Sequence, residues 1–241
     1  MTATADRPAP TPDVPAVAVR PVTFPRVLRS EWIKFRTLRS TVWTAIITAV
    51  VMVGFALMMA GIMRVSVDNA EMAEGMGNDP GFQSMGMTGT TVVTLGYSFG
   101  QLAVAVLAAL IVTNEYSTGM IRSTFAAVPR RLPSLWAKLV VIVVTTAVVA
   151  AVALAVAYLV TRPLLDAARL SVDLSDDEQL RSLLGCVLYL ATVAAFSLAV
   201  GTLMRHSAGA IFTLVAVFFV LPIIFQIVTS ASDAAWADWV Y

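Results

Sequence analysis

Residues 139–160 read LVVIVVTTAVVAAVALAVAYLV. No charge interrupts the run, and its only polar groups are two adjacent threonines and a tyrosine. A helix crossing a bilayer core needs about 20 mainly apolar residues, so the stretch reads as a membrane span. Four more segments have the same character, at about 41–63, 90–113, 182–204 and 209–229. None of the five holds an Asp, Glu, Lys, Arg or His. The 16 Lys and Arg, the 15 Asp and Glu and the single His206 all fall between or outside them. Across 241 residues, 59% are apolar and 13% charged, about half the charge of an average soluble domain. The predicted fold class is an all-α polytopic membrane protein with five visible transmembrane helices. The first span begins too late, and is too long, for a cleaved signal peptide. Cys186 stands alone in an apolar run, where a small buried residue is the plain reading.

The segments between the spans alternate in charge. Residues 1–39 hold seven Lys or Arg and three acids, and residues 64–89 hold one Arg and four acids. Residues 114–138 hold four basic residues and one acid, and residues 161–181 hold three Arg and five acids. Residues 205–208 hold one Arg, and 230–241 hold two Asp and no basic residue. Basic loops stay on the cytoplasmic side. The N-terminus, 114–138 and 205–208 are therefore assigned to the cytoplasm of a multi-pass cell-membrane protein. Residues 230–241 form an outer interfacial segment, with Trp236, Trp239 and Tyr241 suited to the headgroup belt. Residues 1–23, with Pro8, Pro10, Pro12, Pro15 and Pro21, read as a disordered cytoplasmic tail.

Two segments on the basic side look structured. Residues 24–39 form an amphipathic helix with Phe24, Val27, Leu28, Phe35 and Leu38 on one face and Arg26, Arg29 and Arg36 opposite. Glu31 falls within the apolar face. Either the helix is rotated and Glu31 is solvated, or Glu31 faces protein and pairs with a cation from another segment. Residues 115–131 read EYSTGMIRSTFAAVPRR. As a helix over about 115–128, this segment puts Ile121, Phe125 and Val128 on one side. Glu115 and Arg122 lie on the other, with Gly119 and Ser123. Pro129 ends the helix. A segment of this length exceeds what a turn between spans needs, so it is shaped to touch something. The plain alternative is an ordinary basic loop.

The residue inventory excludes several chemistries. One histidine cannot build a His-rich metal centre or a Ser–His pair within the membrane. Neither lysine, Lys34 or Lys138, follows a phosphate-cradling Gly-rich loop. Met72, Met76, Met85 and Met87 have no His or Cys beside them to complete a copper site. The spans carry no ionisable residue for ion coupling. Their hydroxyls read mostly as helix packing, with Gln101 and Gln226 the better candidates for a cavity. Gly96 and Gly100 form a helix-packing GxxxG, and Pro222 should distort the fifth span.

The RSEWIKFRTLRS segment at 29–40 and the NEYSTGMIRSTFAAVPRR segment at 114–131 resemble the membrane subunits of type-2 ATP-binding cassette (ABC) transporters, the actinobacterial permeases in particular. The pattern lies on Glu115, Gly119, Ile121, Arg122, Thr124, Phe125, Pro129, Arg130 and Arg131. The N-terminal part lies on Arg29, Glu31, Trp32, Lys34, Arg36 and Arg39. The resemblance implies an elbow helix over 24–39, a transmembrane domain over 40–229 and a coupling helix at about 115–128 that docks on a separate ATPase subunit. It implies a complex of two ATPases and two permeases, a homo- or heterodimer, acting mainly as an exporter. ATP and magnesium belong to the ATPase, so this chain is not itself an enzyme. It also implies a sixth span, where this sequence shows five. The competing reading is a membrane anchoring or assembly subunit whose 115–131 loop docks a cytoplasmic partner.

Overall fold

The computed structural model describes residues 23–37, 39–73, 88–121 and 131–231. Helix α1 runs Phe24–Thr37 and α2 runs Arg39–Ala73. A short α3, Gly89–Thr94, leads into α4, Tyr97–Ser117. Then come α5, Arg131–Ala167, and α6, Asp177–Met204. The last apolar segment is α7, Ser207–Val215, a π-helical turn, Ala216–Val220, and α8, Leu221–Ala231. Five helical segments are long and apolar enough to span a membrane: Arg39–Val67, Gly89–Ser117, Leu132–Ala167, Asp177–Met204 and Ser207–Val228. The first four each contain one of the runs read from sequence, and the fifth covers its run to Val228. Of the expected tail over 1–23, residues 1–22 lie outside the described residues, as do 232–241 of the interfacial segment expected over 230–241.

Elementary rules explain the helix ends. Pro25 sits in the first turn of α1, where its missing N–H costs no helical bond. Asp176 caps α6 by accepting from the Glu178 N–H at 3.0 Å, with Asp177 and Glu178 in the positive first turn. Arg205 closes α6 at φ 54°, in the left-handed region. His206 Nδ1 then accepts from the Gly209 N–H at 3.3 Å and starts α7.

The spans associate through small residues. Lipid tails are as apolar as the helices, so close van der Waals packing has to hold them together. Ala56 and Ala60 of α2 share a fully buried cluster with Ala150, Ala153 and Ala157 of α5. Ala105, Ala108 and Ala109 of α4 share another with Ala194 of α6. A Cβ at Gly96 would stand 2.5 Å from the backbone of Met52, and one at Gly201 would stand 3.0 Å from the Ala109 carbonyl oxygen. The GxxxG is thus the crossing point of α2 and α4. Cys186 is buried in the first of these clusters. Most span hydroxyls donate to their own helix: Thr44 to Ser40 O and Thr48 to Thr44 O at 2.8 Å, and Thr145 to Val141 O at 2.7 Å.

Two expected bounds are corrected. The helix expected over 115–128 is not continuous. Residues 115–117 finish α4, and the chain turns at Thr118 and Gly119, where Gly119 has φ 72°. A glycine just past a helix end adopts this conformation without a Cβ penalty. The N-terminal helix ends at Thr37, and Arg39 opens the next helix. In the fifth span the distortion expected at Pro222 takes the form of the π-helical turn that precedes it. Pro222 has no N–H for the carbonyl four residues earlier, and that carbonyl, Phe218 O, receives the Gln101 side-chain amide at 3.4 Å instead.

The described loops sort to two ends of the bundle. At one end α1 packs on α5, and the Arg205 guanidinium stacks 5.8 Å above the Tyr116 ring. At the other, Gly89 packs against the backbone of Leu170. The segments preceding α2, following α4 and following α6 therefore share an end, as the alternating loop charge requires.

Candidate functional site

At the α1 end, four charged side chains from three helices converge. The buried stripe of α1 is Val27, Glu31 and Phe35, spaced by four so that all three face the bundle. Glu31 is 5% exposed. Its Oε2 accepts from Lys138 Nζ of α5 at 2.6 Å, and its Oε1 accepts from Lys34 Nζ at 3.1 Å. Lys138 Nζ also donates at 2.6 Å to Oε1 of Glu115, in the last turn of α4. Lys34 reaches the same oxygen at 3.5 Å. Both lysines of the chain are thus used, and the four formal charges cancel.

Burial makes this balance necessary. A buried charge without a partner is costly, while charge-assisted hydrogen bonds of good geometry offset desolvation. Lys138 is 5% exposed at its side chain and the two carboxylates 5% and 8%. Lys34, at 38%, faces outward. Burial pulls the Lys34 pKa down, but the charges and hydrogen bonds of Glu31 and Glu115 outweigh it and leave it raised. Glu115 Oε2 is the one buried carboxylate oxygen without a hydrogen-bond partner among the described residues.

The cluster lies against a cleft of about 520 Å³ between α1, α2, α4 and α5. Phe35, Leu107, Ile111 and Val141 supply apolar wall, and the charged groups occupy one part of it.

The residues expected to form the site separate into groups. Glu31, Lys34 and Glu115 come together, so the reading in which Glu31 pairs with a cation from another segment is the observed one. That cation lies on α5 itself. Gly119 ends α4. Trp32 stacks near Phe35, with ring centroids 6.4 Å apart. Arg29, Arg36 and Arg39 are exposed. Arg122, Thr124, Phe125, Pro129 and Arg130 lie outside the described residues, and of Arg131 only its place at the start of α5 is described. Gln101 and Gln226 do not line the cleft. Gln101 is buried between segments, where Tyr189 Oη donates to its Oε1. Gln226 lies on the exposed surface of α8. Lys138 and Tyr189 were not singled out as site residues. The signal for Lys138 was present: two lysines and an acid in an apolar face demand a partner. Among the described residues no three of His, Cys, Asp and Glu gather as a metal site.

No family model, curated protein or solved structure matches the chain.

Proposed function

We propose that this chain is the membrane subunit of an ATP-driven transporter of the type-2 ABC permease class. In this reading α1 is an interfacial elbow helix on the cytoplasmic side. The segment from Thr118 to Arg131 is the docking element for a separate ATPase. ATP and magnesium act on that subunit, and a second permease copy completes the complex. The direction is export.

One observation carries the reading. Glu31, Glu115 and Lys138 join α1, the end of α4 and the start of α5 by two bonds of 2.6 Å. The docking segment connects α4 to α5, so its two anchor points are pinned to each other and to α1. A push on that segment then moves three helices as a body. A loop serving only as a tether needs no such joint. The resemblance on Glu115, Gly119 and Arg122 supports the same reading, since Glu115 is one of the pinned groups and Gly119 marks where the spanning helix stops.

The test is co-purification. A tagged full-length chain expressed in its own host should bring down an ATPase subunit, and Arg122→Glu should lower the associated ATP hydrolysis at least tenfold. Capture of a cytoplasmic protein without ATPase activity replaces this reading with that of an anchoring subunit. Unchanged hydrolysis in the Arg122→Glu variant removes the docking role from the segment.

A further inference from the structure

A second hollow adjoins the cleft. It has a volume of about 360 Å³ at the α1–α2 junction and is lined by Arg36, Thr37, Arg39, Val42 and Trp43. Thr37 lines both hollows. We propose that together they form one binding site for an anionic phospholipid, with its phosphate at Arg36 and Arg39 and an acyl chain in the cleft.

Charge favours an anion at the mouth. The only acid of α1, Glu31, is turned inward and held by Lys138 and Lys34. Arg36 and Arg39 are exposed and form no ion pair among the described residues. Two guanidinium groups with no acid to neutralise them match phosphate geometry.

The cleft wall favours a chain. Its volume of about 520 Å³ is within the range of ligand pockets. Three of its threonine hydroxyls are already used: Thr37 donates to Ile33 O, Thr44 to Ser40 O and Thr118 to Asn114 O. What remains for a ligand is mostly aliphatic surface. Position favours a membrane lipid over a soluble phosphate. Val42 and the 64% exposed Trp43 open the first span, at the level where headgroups and tryptophan rings meet.

The full chain, delipidated in neutral detergent, is titrated with phosphatidylglycerol, with phosphatidylcholine of the same acyl chains, and with inorganic phosphate. Bound lipid is read by native mass spectrometry. Phosphatidylglycerol is expected to bind at least tenfold tighter than phosphatidylcholine. A basic residue near the membrane surface contributes about fivefold to anionic-lipid affinity. Arg36→Gln and Arg39→Gln should therefore each lose about fivefold, and the pair about 25-fold. Filling the cleft with Ile111→Trp should weaken both lipids, and Arg181→Gln, at the opposite end, should change neither. Variants are compared at matched thermal stability, and the single arginine changes decide if the pair does not fold. Equal affinity for the two lipids, or full affinity in both single arginine variants, overturns the proposal. So does displacement of phosphatidylglycerol by millimolar inorganic phosphate, which would leave an anion site without a chain.

Discussion

Lys138 satisfies two buried carboxylates at once, each at 2.6 Å, and its loss cannot be local. Lys138→Met leaves Glu31 and Glu115 facing each other with only the half-exposed Lys34 between them. Breaking a buried pair by removing one partner costs about 3–5 kcal/mol, so this variant should melt far below the wild type in detergent. Glu31→Gln combined with Lys138→Met removes one charge of each sign and should regain much of that loss. If the double variant is no more stable than Lys138→Met, the buried charge imbalance is not the cause. The Lys34 pKa is raised despite burial. A lysine whose folded pKa is raised stabilises fully below its unfolded value of about 10.4. That contribution is lost as pH rises through the folded value. The melting difference between wild type and Lys34→Met should stay constant from neutral pH to about pH 10 and then shrink. A difference that grows above that pH would contradict the assignment.

Contacts between helices are set by what is missing from side chains. A Cβ at Gly96 would stand 2.5 Å from Met52 backbone, whereas one at Gly54 would meet nothing within 4 Å. Gly96→Val should force α2 and α4 apart and lower thermal stability by several degrees, while Gly54→Ala should be neutral. Equal effects would show that α2 and α4 do not cross at Gly96. The GxxxG was legible because small residues four apart share one helix face. The spans were legible because charge is absent from each for 20 residues or more. The stop at Gly119 was not, although the glycine was in view. Helical spacing of Ile121, Phe125 and Val128 suggested one element, and periodicity alone does not report a left-handed residue. The π-helical turn was legible only as a proline distortion. Within it Phe218 O accepts from Gln101 of another helix, a contact more than 100 residues distant in sequence.

At the scale of the whole molecule, sequence gave one half of the charge cluster and folding supplied the other. Glu31 was conspicuous as an acid on an apolar face. Glu115 was conspicuous only by its pattern, and Lys138 looked like the basic edge of a span. Their meeting requires α1 to fold back on the end of α4 and the start of α5, which no local rule specifies. The fifth segment shows the opposite: only 6% of an 18-residue apolar stretch of it is buried, against 28–44% of the corresponding stretches in the other four. Apolar surface of that extent is left for lipid or for another apolar helix surface. If the docking segment drives the spans, force must pass through the joint at Glu31, Glu115 and Lys138. The Glu31→Gln, Lys138→Met variant breaks both 2.6 Å bonds and leaves the docking segment's own side chains intact. On the proposed reading it should still co-purify an ATPase at the wild-type ratio but no longer transmit the ATP cycle to the bundle. Spin labels at Ile33 of α1 and Val156 of α5, both exposed, report this directly. The wild-type complex should show a distance distribution that changes when ATP is added, and the variant one that does not. Loss of the ATPase from the variant would make the cluster part of the docking surface itself. An unchanged ATP response would mean that force enters the spans by another path.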